Sequence, residues 1–207
     1  MARYTGAVCR LCRRSSVKLF LKGMKCYTKC TLERRPRPPG QHSHRRAKVS
    51  DRGLQLREKQ KARWIYGVLE RQFRAMFEEA ERKTGVTGET LQVLLERRLD
   101  NVVFRLGFAD SRPQARQLVR HGHFMVNDHA NNVPSLMVME GDTISWKPNK
   151  AQTEYYKQLV ESIKGKSVPG WLTLDRQKLV GRVVSLPTPQ DTEGIYQVKA
   201  IVEYYSR

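Results

Sequence analysis

The pattern of apolar and polar positions changes character three times along the chain. Up to residue 49 there is no sustained period of either 3.6 or 2. From Ser50 the texture becomes helical: SDRGLQLREKQKARWIYG predicts a helix that is heavily basic, carrying Arg52, Arg57, Lys59, Lys61 and Arg63. A second helix follows, in which Leu69, Phe73, Met76, Phe77 and Ala80 keep one apolar stripe. Gly85 is placed to end it. Leu91, Leu94, Leu95, Leu99, Val102, Val103 and Leu106 then hold one face over a third helix, stopped by Gly107.

The next stretch, DSRPQARQLVRHGHFMVND, predicts a short capped helix and then a strand. Ser111 stands at the N-cap with Gln114 three residues on, the spacing of a capping box. Pro113 falls in the first turn, where its missing N–H costs nothing. After Gly122 the alternation of Phe124 and Val126 reads as a strand, with Asn127-Asp128 opening a turn. DTISW (142–146) is a second strand. YYKQLVESI (155–163) is a helix, and WLTL and RVVSL read as strands. The tail has β-branched content, but Ile195, Val198, Val202 and Tyr205 fit a helix, which is the favoured reading. No internal repeat is visible.

Charge changes the picture most. The 207 residues carry a formal net charge of +19. Residues 1–50 hold 14 Lys/Arg against one acid, Glu33, and residues 51–207 hold 25 against 19. Positive charge this dense repels itself until a polyanion neutralises it, so nucleic acid is the expected partner ahead of an anionic membrane. Apolar content of 39% without an 18-residue apolar run speaks against a membrane span. No apolar signal core opens the chain, so a cytoplasmic protein is expected.

All four cysteines lie in CRLCRRSSVKLFLKGMKCYTKC. Cys9 and Cys12 are C-x2-C; Cys26 and Cys30 are C-x3-C. Such spacing lets each pair reach one tetrahedral ion, and neighbouring cations favour the thiolate form. One structural Zn2+ is the favoured reading, with no open position for catalysis. Free or redox-sensitive thiols are the next, and disulfides the last, because reducing cytosol disfavours them. Beyond this module, RRPRPPGQHSHRR (34–46) packs three prolines and five arginines, and reads as an extended arm that is disordered until it meets RNA.

Arg112, Arg116 and Arg120 recur every fourth residue and are expected to form one basic ridge suited to phosphate. Irregular RNA would be gripped there by shape and backbone. The alternative is a merely solvated face.

The string RLDNVVFRLGFADSRPQARQLVRHGHFMVND closely resembles the RNA-binding domain named after small-subunit ribosomal protein four. Stress proteins, pseudouridine synthases and a tRNA synthetase share that domain. The flanks narrow the choice: VSDRGLQLREKQKARWIYGVLERQFRAMFEEAERKTG, the ending IVEYYSR, and the opening MARYTGAVCRLCRR, which resembles the cysteine-bearing form found in some bacteria. The resemblance runs from end to end.

It implies an α+β fold. A mainly helical domain (49–95, completed by 190–207) would carry an inserted small RNA-binding domain (96–189) of a helix pair plus antiparallel strands. Residues 1–48 would form an extended basic N-terminal region with a four-cysteine zinc module. It also implies a structural constituent of the small ribosomal subunit that binds small-subunit ribosomal RNA at a multi-helix junction and nucleates assembly of the subunit body. Such a protein lies near the path by which messenger RNA enters, touches small-subunit protein five, and is linked to translational accuracy and sometimes to repression of its own messenger. Neither a membrane nor a small-molecule substrate is implied. Two departures matter: many relatives lack the cysteines, and the turn HANNVPS lacks the lysines common there.

Expected RNA contacts are Arg34, Arg35, Arg37, Arg45, Arg46 and Lys48 along the arm, then Arg52, Arg57 and Lys61 on the first helix. A second surface comprises Arg97, Arg98, Ser111, Arg112, Gln114, Arg116, Arg120 and His123. His121 and His123 have no carboxylate or cysteine beside them, so RNA is preferred to metal. Two rivals stand. An RNA-modifying enzyme would use Asp100, but no glycine-rich loop follows it, nor is there a nucleophile elbow or P-loop. A DNA-binding regulator built on the four-cysteine finger would need a recognition helix that is not evident. Beside them stands an RNA-binding regulator that carries the same RNA-binding domain.

Overall fold

The computed structural model describes residues 3–41 and 49–206. Arg45, Arg46 and Lys48 therefore lie outside the described residues. The chain divides into two compact units, one formed by residues 1–92 with 193–207 and the other by 93–192. No described helix is long and apolar enough to cross a membrane.

The first unit begins with three short helices, α1 (Cys9–Ser15), α2 (Met24–Thr28) and α3 (Thr31–Arg34). Two longer helices follow, α4 (Asp51–Ile65) and α5 (Glu70–Arg82). Ser50 caps α4 by accepting a hydrogen bond from the Gly53 N–H at 3.3 Å. Helix α5 buries Phe73, Phe77 and Ala80, the stripe expected from the sequence. It ends at Lys83 in extended conformation, two residues short of Gly85, whose φ of 114° serves the following turn rather than the helix cap.

The tail is helical as α10 (Val198–Tyr205) and packs along α4. Gln55 donates to the Glu203 carboxylate at 3.1 Å, and Glu58 accepts the Gln197 N–H at 3.0 Å. Tyr205 lies over Phe77 with ring centroids 4.6 Å apart. A Cβ added at Gly88 would stand 2.6 Å from Val198, so glycine is what admits the tail.

The single long helix expected over 91–106 is two: α6 (Thr87–Glu96) and α7 (Leu99–Arg105). The unit boundary falls inside α6. Between the two, Arg98 is extended (φ −65°, ψ 135°) and bridges Met137. The apolar stripe runs through this break without faltering because Leu99 enters the second unit's core directly. Polar bonds fix the break: Leu99 N–H donates to Leu136 O at 2.8 Å, and Val138 N–H to Arg97 O at 2.9 Å.

The second unit sets α7, α8 (Arg112–Arg120) and α9 (Glu154–Ser162) with a five-stranded antiparallel sheet. The strands are β1 (Phe124–Val126), β2 (His129–Asn131), β3 (Thr143–Trp146), β4 (Leu172–Asp175) and β5 (Val180–Val183). Their order is β2-β1-β3-β5-β4. Strand β2 has no β-forming composition; it exists because Asn127 (φ 48°) and Asp128 (φ 63°) make a two-residue turn that pairs Val126 with His129. The core joins Leu99, Val103, Phe108, Phe124, Ile144 and Trp171 among others. Leu106 packs so tightly on β5 that Gly181 has no room for a Cβ.

Candidate nucleic-acid interface

In the first unit the exposed cations concentrate before residue 42. Arg34, Arg35 and Arg37 are all exposed. The arm that carries them is not left loose in its described part. Arg13, on α1, donates its Nε to the carbonyls of Arg35 (3.1 Å) and Arg37 (2.9 Å) and its Nη2 to that of Pro38 (3.3 Å). The expectation of an arm ordered only by RNA is corrected for residues 34–38. One guanidinium satisfies three carbonyls that prolines leave without neighbouring N–H donors. Arg13 went unnoticed in the sequence because nothing local marks a contact across 22 to 25 residues.

Along α4, Arg52 and Arg57 are exposed. Lys61 is half-buried and paired with Glu58 at 2.6 Å. Lys59 is turned inward: it is 4% exposed, meets Glu70 at 2.6 Å, and sits over the Tyr204 ring at 4.5 Å. Burial alone would raise the Glu70 pKa, but hydrogen bonds from Lys59 and Tyr205 and the charges of Lys59 and Arg63 outweigh it and hold the carboxyl below 4.5. Tyr205 responds in the opposite sense, its phenol pushed far up by burial and by its bond to Glu70.

The second surface is largely framework. Arg98 meets Asp100 bidentately, at 3.1 and 2.9 Å, with both groups buried. Arg116 reaches the same carboxylate at 3.2 Å. Arg112 donates to Asn101 at 2.7 Å and lies 4.6 Å over the Phe104 ring. Arg112 and Arg116 are 6% and 5% exposed, which corrects the expected basic ridge; only Arg120 of the three is exposed. Four-residue spacing put them on one helix face, as expected, but that face meets α7.

A partner network was missed entirely. Glu96, fully buried, takes two bonds from Arg105 (3.0 and 2.8 Å) and one from Asn101 (2.7 Å). Asp100, once weighed as a catalytic carboxylate, is likewise spent on structure. Its only sequence signal was polarity inside an apolar stripe.

The remaining predicted residues are also partly occupied. Arg97 donates to Val138 O at 2.9 Å. Ser111 is buried and sits at the N-cap without a side-chain bond, while Gln114 accepts from the Asp110 N–H at 2.9 Å. The capping box is thus displaced by one residue. His123 is half-buried, 5.2 Å from the Trp146 ring, and burial, with Lys150 and His121 nearby, lowers its pKa. It is neutral near pH 7 and offers a ring rather than a charge.

The four cysteines are free thiols that line one small cavity with Lys22, Lys25, Thr31 and Leu32. Among the described residues, no group of three or more His, Cys, Asp or Glu side chains is arranged to hold a metal ion. The donor chemistry nevertheless suits a thiophilic ion. A backbone N–H from Leu19 meets Cys12, and that of Lys22 meets Cys26 at 3.3 Å, the kind of outer contact that steadies a thiolate. Without a cation, burial pushes the Cys12 thiol up, and its three neighbours add to that.

Comparison with known proteins extends over the whole chain. Residues 3–96 match the Ribosomal protein S4/S9 N-terminal domain, and residues 97–144 match the S4 domain. The chain is 54% identical over 207 residues to "Small ribosomal subunit protein uS4" of Dehalococcoides mccartyi and 56% identical over 208 residues to that of Heliobacterium modesticaldum. It is 54% identical over 208 residues to that of Pelotomaculum thermopropionicum. In each case all of both chains is covered.

Proposed function

The chain belongs to the family of small ribosomal subunit protein uS4, and we propose that it binds small-subunit ribosomal RNA as a structural, non-enzymatic part of the bacterial ribosome. The observation that carries this is full-length identity above one half to uS4 proteins, joined to a net charge of +19 and to exposed arginines on the pinned basic arm. A ribosomal subunit protein of a bacterium works in the cytoplasm.

The contacts divide by exposure. Arg34, Arg35, Arg37, Arg52, Arg57 and Arg120 reach phosphates, with Lys61 at the margin. Arg45, Arg46 and Lys48, which follow in the same basic stretch of sequence, add further phosphate contacts. Arg98, Ser111, Arg112, Gln114 and Arg116 hold α7 and α8 in the shape RNA meets, and Arg97 and His123 border that surface. Such binding is worth most early, when naked RNA offers its backbone, so the protein nucleates the subunit body. From that place it also touches small-subunit protein five and contributes to messenger entrance and accuracy.

Cys9, Cys12, Cys26 and Cys30 hold one structural Zn2+. The ion would supply two positive charges among four thiolates and tie α1 to α2 and α3, with no role in reaction chemistry. Support comes from their shared cavity and the N–H groups aimed at Cys12 and Cys26.

Reconstitution tests the whole reading. Small subunits assembled from RNA and proteins of a close relative, with this chain as the only uS4, sediment as complete particles. Omitting it leaves slow, protein-deficient particles. Equal sedimentation with and without the chain overturns the proposal.

A further inference from the structure

The loop joining the two cysteine pairs, together with α2 after it, carries an aromatic arrangement that neither the core nor the thiols explain. Tyr27, on α2, is 68% exposed, and Met24 on the same helix is 65% exposed. The Tyr27 ring is backed by Phe20, with centroids 5.2 Å apart and planes tilted by 32°. Phe20 achieves this from a left-handed backbone, φ 50°, which a bulky aromatic residue rarely adopts. That conformation is held from outside: the next residues run into a bond from Lys22 N–H to Cys26 Sγ, and Leu19 and Leu21 on either side are buried. Cys26 faces the thiol cavity, so Tyr27 one residue later turns away from it. Lys22, Lys25 and Lys29, close to the two rings in sequence, are exposed, and Lys22 and Lys25 also border the thiol cavity.

We propose that Phe20 and Tyr27 form a two-ring platform on which one unpaired base of the RNA stacks, with Lys22, Lys25 and Lys29 receiving its flanking phosphates. A strained residue persists only where its surroundings over-determine it, and here they fix the ring that stiffens Tyr27 from behind. A lone exposed tyrosine would swing; a backed one is pre-organised and loses little entropy when a base covers its outer face. Every base has a π-face, so the platform reads an unstacked nucleotide rather than a sequence. Three exposed lysines on the same short segment as an exposed ring suit RNA better than an apolar protein surface, which would leave their charges unanswered. The proposal rests on the RNA-binding reading above.

The test is the affinity of the full chain, with metal as purified, for a naked small-subunit ribosomal RNA transcript across a salt series. Tyr27→Ala weakens binding about 5- to 150-fold, the effect of losing one stacked base, and leaves the salt slope unchanged because no phosphate contact is lost. Tyr27→Phe stays within about twofold of the parent because the ring remains. Tyr27→Leu behaves like alanine, since a branched apolar chain gives no flat face. The Lys25→Gln, Lys29→Gln pair lowers the slope by about 0.7 per contact. Parental affinity in the alanine variant, or rescue by leucine, overturns the platform and leaves the ribosomal reading intact. A parent chain that fails to bind the transcript overturns both.

Discussion

Arg116 Nη1 lies 3.2 Å from Asp100 Oδ2, and both side chains are buried. The same carboxylate already holds Arg98 in a two-pronged pair. One acid therefore pins the start of α7, the break before it and the middle of α8. An arginine on a basic protein's helix is easily read as an RNA ligand; here its charge is answered inside the domain.

Asp100→Ala and Arg120→Ala should separate framework from contact. Removing Asp100 leaves two guanidinium groups buried without their carboxylate and costs about 3–5 kcal/mol, read as a fall in the urea midpoint at constant m. Arg120→Ala changes stability by less than about 0.5 kcal/mol but lowers the salt slope of RNA binding by roughly 0.7 to 0.9. Equal midpoints in the two variants would refute the division.

Arg13→Ala frees three carbonyls and unpins residues 35–38. Limited tryptic cleavage after Arg34, the arginine of this stretch not followed by proline, is expected to quicken by about tenfold or more, with the thermal midpoint of the rest of the chain little moved. Unchanged cleavage would mean that the prolines alone set the arm.

Glu70 should make the first unit acid-sensitive. Its folded pKa lies below the ordinary value of 4.5, so its stabilisation is present above that pH and is lost as pH falls through the lower folded value. Protonation also leaves buried Lys59 without its partner. Thermal melts of the parent and of Glu70→Gln are expected to differ at pH 7 and to converge toward pH 3. A gap that persists at pH 3 would contradict this.

Natively purified protein should hold one zinc per chain, with thiols that react only after chelation. Chelation should speed cleavage of the arm as well, because α1 carries Arg13 and the proposed zinc clip would join α1 to α3. Four freely reactive thiols without metal would remove the zinc clip from the account.

Much of this was legible in residue order. The apolar stripe of α5, the helical tail, and the strands at 124–126 and 143–146 follow from periodicity, and the family from the resemblance of long strings of residues. What escaped was non-local. Periodicity could not show that Leu99 continues a stripe in a separate helix, because one core accepts both segments' leucines. Nor could four-residue spacing say whether Arg112 and Arg116 face solvent or α7; that depends on Asp100 and Asn101, eleven to sixteen residues away. Strand β2 was hidden because its register comes from the Asn127-Asp128 turn, not from its own residues. Arg13 and Phe20 were invisible for the same reason, since each matters through a partner distant in sequence or through a backbone angle.

The most direct test is the affinity of the purified chain for naked small-subunit ribosomal RNA, with no other ribosomal protein present, in competition with duplex DNA of equal phosphate content. Folded RNA is expected to win by at least about 1,000-fold at physiological salt, the lower end of the span separating specific from non-specific binding. Equal competition by the duplex would reduce the protein to a general polycation and contradict the central claim.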